Sequence, residues 1–209
     1  MRLFIALVPP AEILEDLKNV QAEMAGGQTR PSASAQAGWD RQTGTLLVRR
    51  SPWKASGPEQ LHLTLQFLGD DINLHRKEEI RKKLQEVGPR HVPFEIKPAG
   101  MGAFPSPARA SVVWAGVQGA GLEGLAQDLA SALSSLGIRR DKPFSPHITL
   151  LRSKIPQSAQ EMMKPMAGRA WSEKNWVAGE FVLFESHAAL GGREHIQVQK
   201  YPLGGDGEK

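Results

Sequence analysis

The chain has 209 residues, 40% of them apolar and 23% charged, ordinary values for a globular protein with a packed core. Its 26 basic and 22 acidic residues leave a net charge of +4, which suits an anionic ligand without demanding one. Cysteine is absent, which excludes disulfides, cysteine-ligated zinc, iron–sulfur clusters and thiol nucleophiles and fits a cytoplasmic protein.

Residues 2–8 read as a first strand, apolar on both faces. The run is too short for a signal peptide, because Pro9, Pro10 and Glu12 follow at once, and no later run approaches the ~20 apolar residues of a membrane span. Pro10 opens a helix with Ile13, Leu14, Leu17, Val20 and Met24 at helical spacing, and Gly26-Gly27 is expected to stop it. Residues 26–44 lack periodicity and read as a long loop, either an insertion or a lid. Strands are expected at 45–49 and 61–68, the second closed by Gly69-Asp70-Asp71, with a charged helix at 72–87. Strands at 94–99 and 111–117 flank a loop at 100–110. An amphipathic helix at 122–136 ends on Gly137. A further strand starts near His147, a short helix covers 157–163, and strands at 177–186 and 196–201 close a single domain of residues 1–201. A flexible tail is expected at 202–209.

Two of these strands carry nearly the same text. His62-Leu63-Thr64-Leu65 and His147-Ile148-Thr149-Leu150 both read His, apolar, Thr, Leu, one in each half of the chain. Alternate side chains of a strand share a face, so His62 joins Thr64 and His147 joins Thr149, each pair backed by apolar residues. Related halves would place the two pairs about an approximate two-fold axis. The remaining histidines, His75, His91, His187 and His195, have no repeated context and read as solvent-facing.

Several chemistries fit poorly. Zinc wants three or four ligands, and neither motif supplies a carboxylate. There is no Gly-x-Ser-x-Gly elbow, P-loop or dinucleotide fingerprint. Acid–base work on a phosphodiester fits well. Displacement at phosphorus has an attacking oxygen and a leaving oxygen on opposite sides. A neutral imidazole takes a proton from one and an imidazolium gives one to the other, and both forms exist near neutrality. The threonine hydroxyls donate to phosphate oxygens without adding negative charge. Arg152 is the nearest guanidinium to offset charge there. Strict alternation puts it on the wrong face, unless the strand ends, twists or bulges first.

His62-Leu-Thr-Leu with Gln66-Phe67-Leu68-Gly69, and Pro146-His147-Ile-Thr-Leu-Leu-Arg152, resemble the paired signatures of the 2H phosphoesterase superfamily. Within it the chain is most similar to the RNA 2′,3′-cyclic phosphodiesterases, also called 2′-5′ RNA ligases. Residues 2–7, Gly102-Ala-Phe104-Pro105, Val113-Trp114-Ala115-Gly116-Val117 and 181–186 extend the likeness. The resemblance implies an α+β fold of two lobes, with antiparallel sheets related by a pseudo-two-fold around a central cleft and helices outside. It implies metal-independent opening of an RNA 2′,3′-cyclic phosphate to a 2′-phosphate, without a cofactor, and the reverse 2′-5′ joining. On that precedent His62 is the proton donor, His147 the acceptor, and Thr64, Thr149 and Arg152 hold the phosphate.

Phe104 and Phe144 are candidate base contacts, and Arg139, within a basic cluster with Arg140 and Lys142, is a candidate RNA contact. Two alternatives stay open: a nucleotide-binding module, and a phosphodiesterase of small nucleotides such as ADP-ribose cyclic phosphate. Nothing in the sequence points to an obligate protein partner.

Overall fold

The structure is a computed structural model and describes residues 1–29, 51–166, 172–190 and 192–204. The expected loop at 26–44 falls largely outside them, and the expected strand at 45–49 wholly so.

Strand β1 (Arg2–Leu7) alternates cleanly. Leu3, Ile5 and Leu7 enter the main core, whereas Phe4 and Ala6 join a smaller apolar cluster on the opposite face. Helix α1 (Ala11–Thr29) opens on the Pro10 carbonyl, which accepts from Ile13 and Leu14 N–H groups. It continues through Gly26-Gly27, contrary to the expected stop. Glycine weakens a helix but, unlike proline, keeps the N–H that the hydrogen-bond ladder needs. A three-residue strand β2 (Trp53–Ala55), too short to show periodicity, precedes β3 (Leu63–Gly69). Helix α2 (Leu74–Gln85) starts where Asn73 Oδ1 accepts from Arg76 N at 2.8 Å.

Strand β4 (Phe94–Phe104) runs through much of the expected 100–110 loop. Its glycines suggested a loop, but Gly102 is needed inside the strand: a Cβ there would lie 2.2 Å from Trp114 Cζ2 on β5 (Ala110–Gln118). Helix α3 (Leu122–Ser134) ends as expected at Gly137, which adopts φ +70°. Strand β6 (His147–Gln157) runs into the start of the helix expected at 157–163, so the short helix α4 is confined to Gln160–Met163.

The run expected as one strand at 177–186 is two. They are β7 (Trp176–Ala178), paired with β4, and β8 (Glu180–Ala189), paired with β1. Strand β9 (Gly192–Pro202) starts earlier than its apolar pattern indicated, because pairing with β8 carries its exposed polar end. The expected tail overlaps the end of β9. Leu203 N donates to Gly179 O, and Gly204 N donates to His91 O.

All pairings are antiparallel, and the order is β7-β4-β5-β6-β3-β1-β8-β9, with β2 on β6. The two lobes are thus four-strand halves of one continuous sheet. They join where β3 meets β6, through the single register pair Leu63↔Ile148. The motif strands occupy the middle, and each half repeats the other outward. Helices α1, α2 and α3 cover the core side, with Ile13, Leu17, Ile80, Leu84, Leu125 and Leu129 buried there.

Candidate active site

Each motif strand contains a bulge at the same place. In β3, Thr64 pairs with Ala6 and Gln66 with Ile5, which leaves Leu65 unmatched. In β6, Thr149 pairs with Trp114 and Leu151 with Val113, which leaves Leu150 unmatched. Both residues follow their motif threonine directly. An extra residue reverses the side-chain alternation beyond it. Leu65 and Gln66 therefore both turn inward, as do Leu150 and Leu151, and all four are buried. The next residues, Phe67 and Arg152, turn outward, away from the core.

The bulges are capped in parallel ways. Arg140 Nη2 donates to Leu65 O (3.2 Å) and to Ala126 O on α3 (2.8 Å). Gln21 Nε2, from α1, donates to Leu150 O (2.8 Å) and Ser56 O (3.0 Å), and Ser56 N also donates to Leu150 O. Arg140, read in the sequence within a basic RNA-facing cluster, is thus held in the fold.

The Leu150 bulge resolves the position of Arg152. The residue shares the face of His147 and Thr149, and its Nη2 lies 3.5 Å from Thr149 Oγ1. Burial and the Arg2 charge both press its pKa down, but a guanidinium has ample margin to remain charged.

The two histidines occupy different surroundings. His62 lies nearly flat against Phe4 (centroids 4.8 Å, planes 28° apart) and near Phe184 at 5.9 Å. Its pKa is lowered to about 3. Burial is the main cause, followed by the charges of His195, Arg152 and His147, against a raising influence from the Glu59 carbonyl. His147 is less enclosed. Its Nδ1 is 2.6 Å from Ser145 O, and a carbonyl only accepts, so Nδ1 carries the hydrogen and neutral His147 keeps its lone pair on Nε2. Burial first, then Arg152, lower its pKa, and the Ser145 carbonyl raises it.

A cleft of about 1090 Å³ runs along the seam, lined among others by Thr64, Phe104, Arg139, Phe144 and His147. His62, Thr149 and Arg152 are not among its lining residues; His62 shares a face with Thr64, and the other two share that of His147. Phe104 meets the His147 ring edge-on. Phe144 packs on the core with Arg140 over its ring at 5.2 Å.

Two of the four histidines read as solvent-facing are not. His91 Nε2 is 3.0 Å from Asp128 Oδ2, and His195 packs against His62 and Phe4. Arg2 also belongs to this region, with its guanidinium 4.5 Å over the Phe67 ring and bonded to Asp70 at 2.8 Å. Neither His195 nor Arg2 lies near a motif in sequence; only strand pairing, Arg2↔Ser186↔His195, brings them in. Among the described residues, no group of three or more His, Asp or Glu side chains is placed to hold a metal ion. No described helix is long and apolar enough to cross a membrane.

The profile of the 2′-5′ RNA ligase superfamily matches residues 31–189, a span that includes both motif strands. The chain belongs to the 2′-5′ RNA ligase superfamily. Among relatives in this superfamily, the RNA 2′,3′-cyclic phosphodiesterase of Archaeoglobus fulgidus is 36% identical over 167 residues, covering 78% of this chain and 80% of that one. That of Aquifex aeolicus is 34% identical over 154 residues, covering 71% and 80%. The crystal structure of TT0787 from Thermus thermophilus superposes with a TM-score of 0.74 at 27% identity, covering 99% of this chain and 100% of that one. Apo LigT of Escherichia coli superposes with a TM-score of 0.67 at 25% identity, covering 97% of each chain. These likenesses cover both halves of the superfamily fold, including the sheet ends beyond the motifs.

Proposed function

We propose that this protein opens RNA 2′,3′-cyclic phosphate ends to 2′-phosphomonoesters. The observation that carries the reading is the pair of matched bulges, one past each His-x-Thr motif. The second brings Arg152 to the face of His147 and Thr149. His147 Nε2 takes a proton from water as the water oxygen bonds to phosphorus. The bond from phosphorus to the 3′ oxygen breaks, and His62 gives that oxygen a proton. Thr64, Thr149 and Arg152 hold the non-bridging oxygens, where charge builds up.

The fixed Nδ1–H of His147 supports its role as acceptor. His62, with its pKa lowered to about 3, is neutral in the free protein at pH 7. It becomes a donor when the phosphate anion offsets the charge it would carry, so substrate binding draws in a proton. Run backwards, the same steps join a cyclic phosphate end to a 5′-hydroxyl through a 2′-5′ bond. We place the reaction in the cytoplasm, a setting that fits a chain without cysteine.

The test is incubation of the pure protein with RNA bearing a 2′,3′-cyclic end in excess EDTA, followed by assignment of the phosphate position. A 2′-phosphate product is expected. No turnover, a 3′-phosphate product, or activity abolished by the chelator would overturn the reading.

A further inference from the structure

Beyond the motifs, cations gather on the His62 side of the site. Lys54 of β2 is the direct cross-strand partner of Arg152, so the two share a face. Its ammonium reaches the β8–β9 hairpin, where a Cβ on Gly192 would stand 3.5 Å from Lys54 Nζ and 3.7 Å from Gln60 Nε2. Gln60 Nε2 donates to Arg193 O at 2.6 Å, which ties the approach of His62 to that hairpin. The Arg193 side chain is held in place: Nε donates to Ser186 Oγ at 2.8 Å and Nη2 to Ser186 O at 3.3 Å. Ser186 is the cross-strand partner of His195, and Arg193 is the next residue on that face, roughly 7 Å along the strand.

Among the described residues, neither Lys54 nor Arg193 has a carboxylate within ion-pair distance. Arg2 has Asp70, but Arg152 likewise has none. Arg193, Arg2 and Arg152 all act on His195 as positive charges, with Glu59 the one carboxylate acting against them there, and an entering anion relieves the remaining repulsion. Arg193 is already oriented by two hydrogen bonds, so little side-chain freedom is lost when an anion meets it. The position is that of a neighbouring site: Lys54 lies beside Arg152 on the face of the second motif, and Arg193 lies on the strand that brings His195 against His62.

We propose that Lys54 and Arg193 form a second phosphate site, which takes the internucleotide phosphate next to the reacting one at an RNA 3′ end. The inference rests on the proposed function and deepens it, making the preferred substrate the end of a polynucleotide rather than a free cyclic mononucleotide. It differs from the sequence expectation, which looked to Arg139, Arg140 and Lys142 for contacts with RNA phosphates.

The test uses two short oligoribonucleotides ending in a 2′-phosphate. They are identical except that one carries a neutral methylphosphonate at its last internucleotide linkage, and binding is read by fluorescence anisotropy. The intact protein is expected to bind the neutral-linkage RNA about tenfold more weakly, the scale of a charge-assisted hydrogen bond. In the Lys54→Ala/Arg193→Ala double variant that difference shrinks below about twofold, and the salt dependence of binding becomes shallower by about one unit. Equal binding of both RNAs by the intact protein, or full discrimination in the double variant, overturns the second site. Turnover of a cyclic-ended RNA is measured alongside. Discrimination without turnover tells against hydrolysis and leaves the second site standing; turnover without discrimination does the reverse.

Discussion

His195 stands edge-on to His62, with ring centroids 5.3 Å apart and planes at 82°. Across the seam, Phe104 stands edge-on to His147 at 5.1 Å and 81°. Each motif histidine thus has one ring set against it in the same manner. In one half that ring is an inert phenyl, and in the other it is a second imidazole.

This difference can be tested by making the halves alike. A His195→Phe variant keeps a ring in place and removes a group whose positive charge disfavours protonation of His62. The midpoint of the His62 ring titration, followed by NMR, should rise, with turnover retained within about tenfold. A midpoint that stays put or falls would show that the His195 charge plays no part in setting it.

The pH dependence of turnover follows from the shifts of both histidines. In the proposed mechanism the active form carries one proton on the pair, and both free-protein pKa values lie below the ordinary 6.5. The quantity kcat/KM should therefore fall as pH rises through the lowered pKa of His147, giving an optimum on the acid side of 6.5. A kcat/KM still climbing above pH 7 would rule out this proton inventory. Replacing either motif histidine with alanine should lower turnover by about 10²–10⁴-fold.

Stability should carry the mark of His62 as well. Its pKa is lower in the folded chain than in the unfolded one, so between about pH 6.5 and 3 the unfolded state binds the extra proton. Folding stability is thus lost as pH falls through that window, at no more than ~1.4 kcal/mol per pH unit for this one proton. Urea titrations across the window should show a flatter profile in His62→Gln than in the parent protein.

Gln21 is buried, and its amide holds the Leu150 bulge from 129 residues away in sequence. A Gln21→Leu variant strands the Ser56 carbonyl and loosens the bulge, at a cost of about 1–3 kcal/mol in stability. It should also lower kcat/KM by about tenfold, since misplacing Arg152 weakens the phosphate contact proposed for it. Full activity with reduced stability would mean that the bulge keeps its shape without the amide.

Gly102→Ala should act on His147 through a ring. The added methyl meets Trp114, which packs 5.9 Å from the His147 imidazole. The expected cost is about 1–3 kcal/mol from overpacking, with slower turnover. A crystal structure of the variant with Trp114 unmoved would refute the link.

Strand parity made the His-Thr pairs legible, because each motif sits in an ordinary extended stretch ahead of its bulge. It misplaced Arg152 because the bulged residue, Leu150, is chemically like the leucine beside it and leaves no mark in the hydrophobic pattern. Helices α2 and α3 were readable from their apolar spacing. Helix α1 outran its glycines because its backbone hydrogen bonds continue through them. His195 stayed hidden because β9 is polar on both sides over Gly192–His195, and its pairing with β8 is a long-range fact that local alternation does not carry. Lys54 was missed for a related reason: three residues of β2 give no period to read.

The paired bulges also bear on what mutation can do to this gene. A three-nucleotide insertion adding one more leucine codon beside that of Leu150 would keep the reading frame, both signatures and every charged residue. Around a one-residue bulge it would still rotate Arg152 into the apolar layer and bring a leucine out in its place. A codon added beside that of Leu65 would do the same to Phe67. Such alleles would keep every residue of both motifs and yet encode a protein whose Arg152 no longer faces His147 and Thr149. The count of residues after each threonine is heritable information as binding as the histidines themselves.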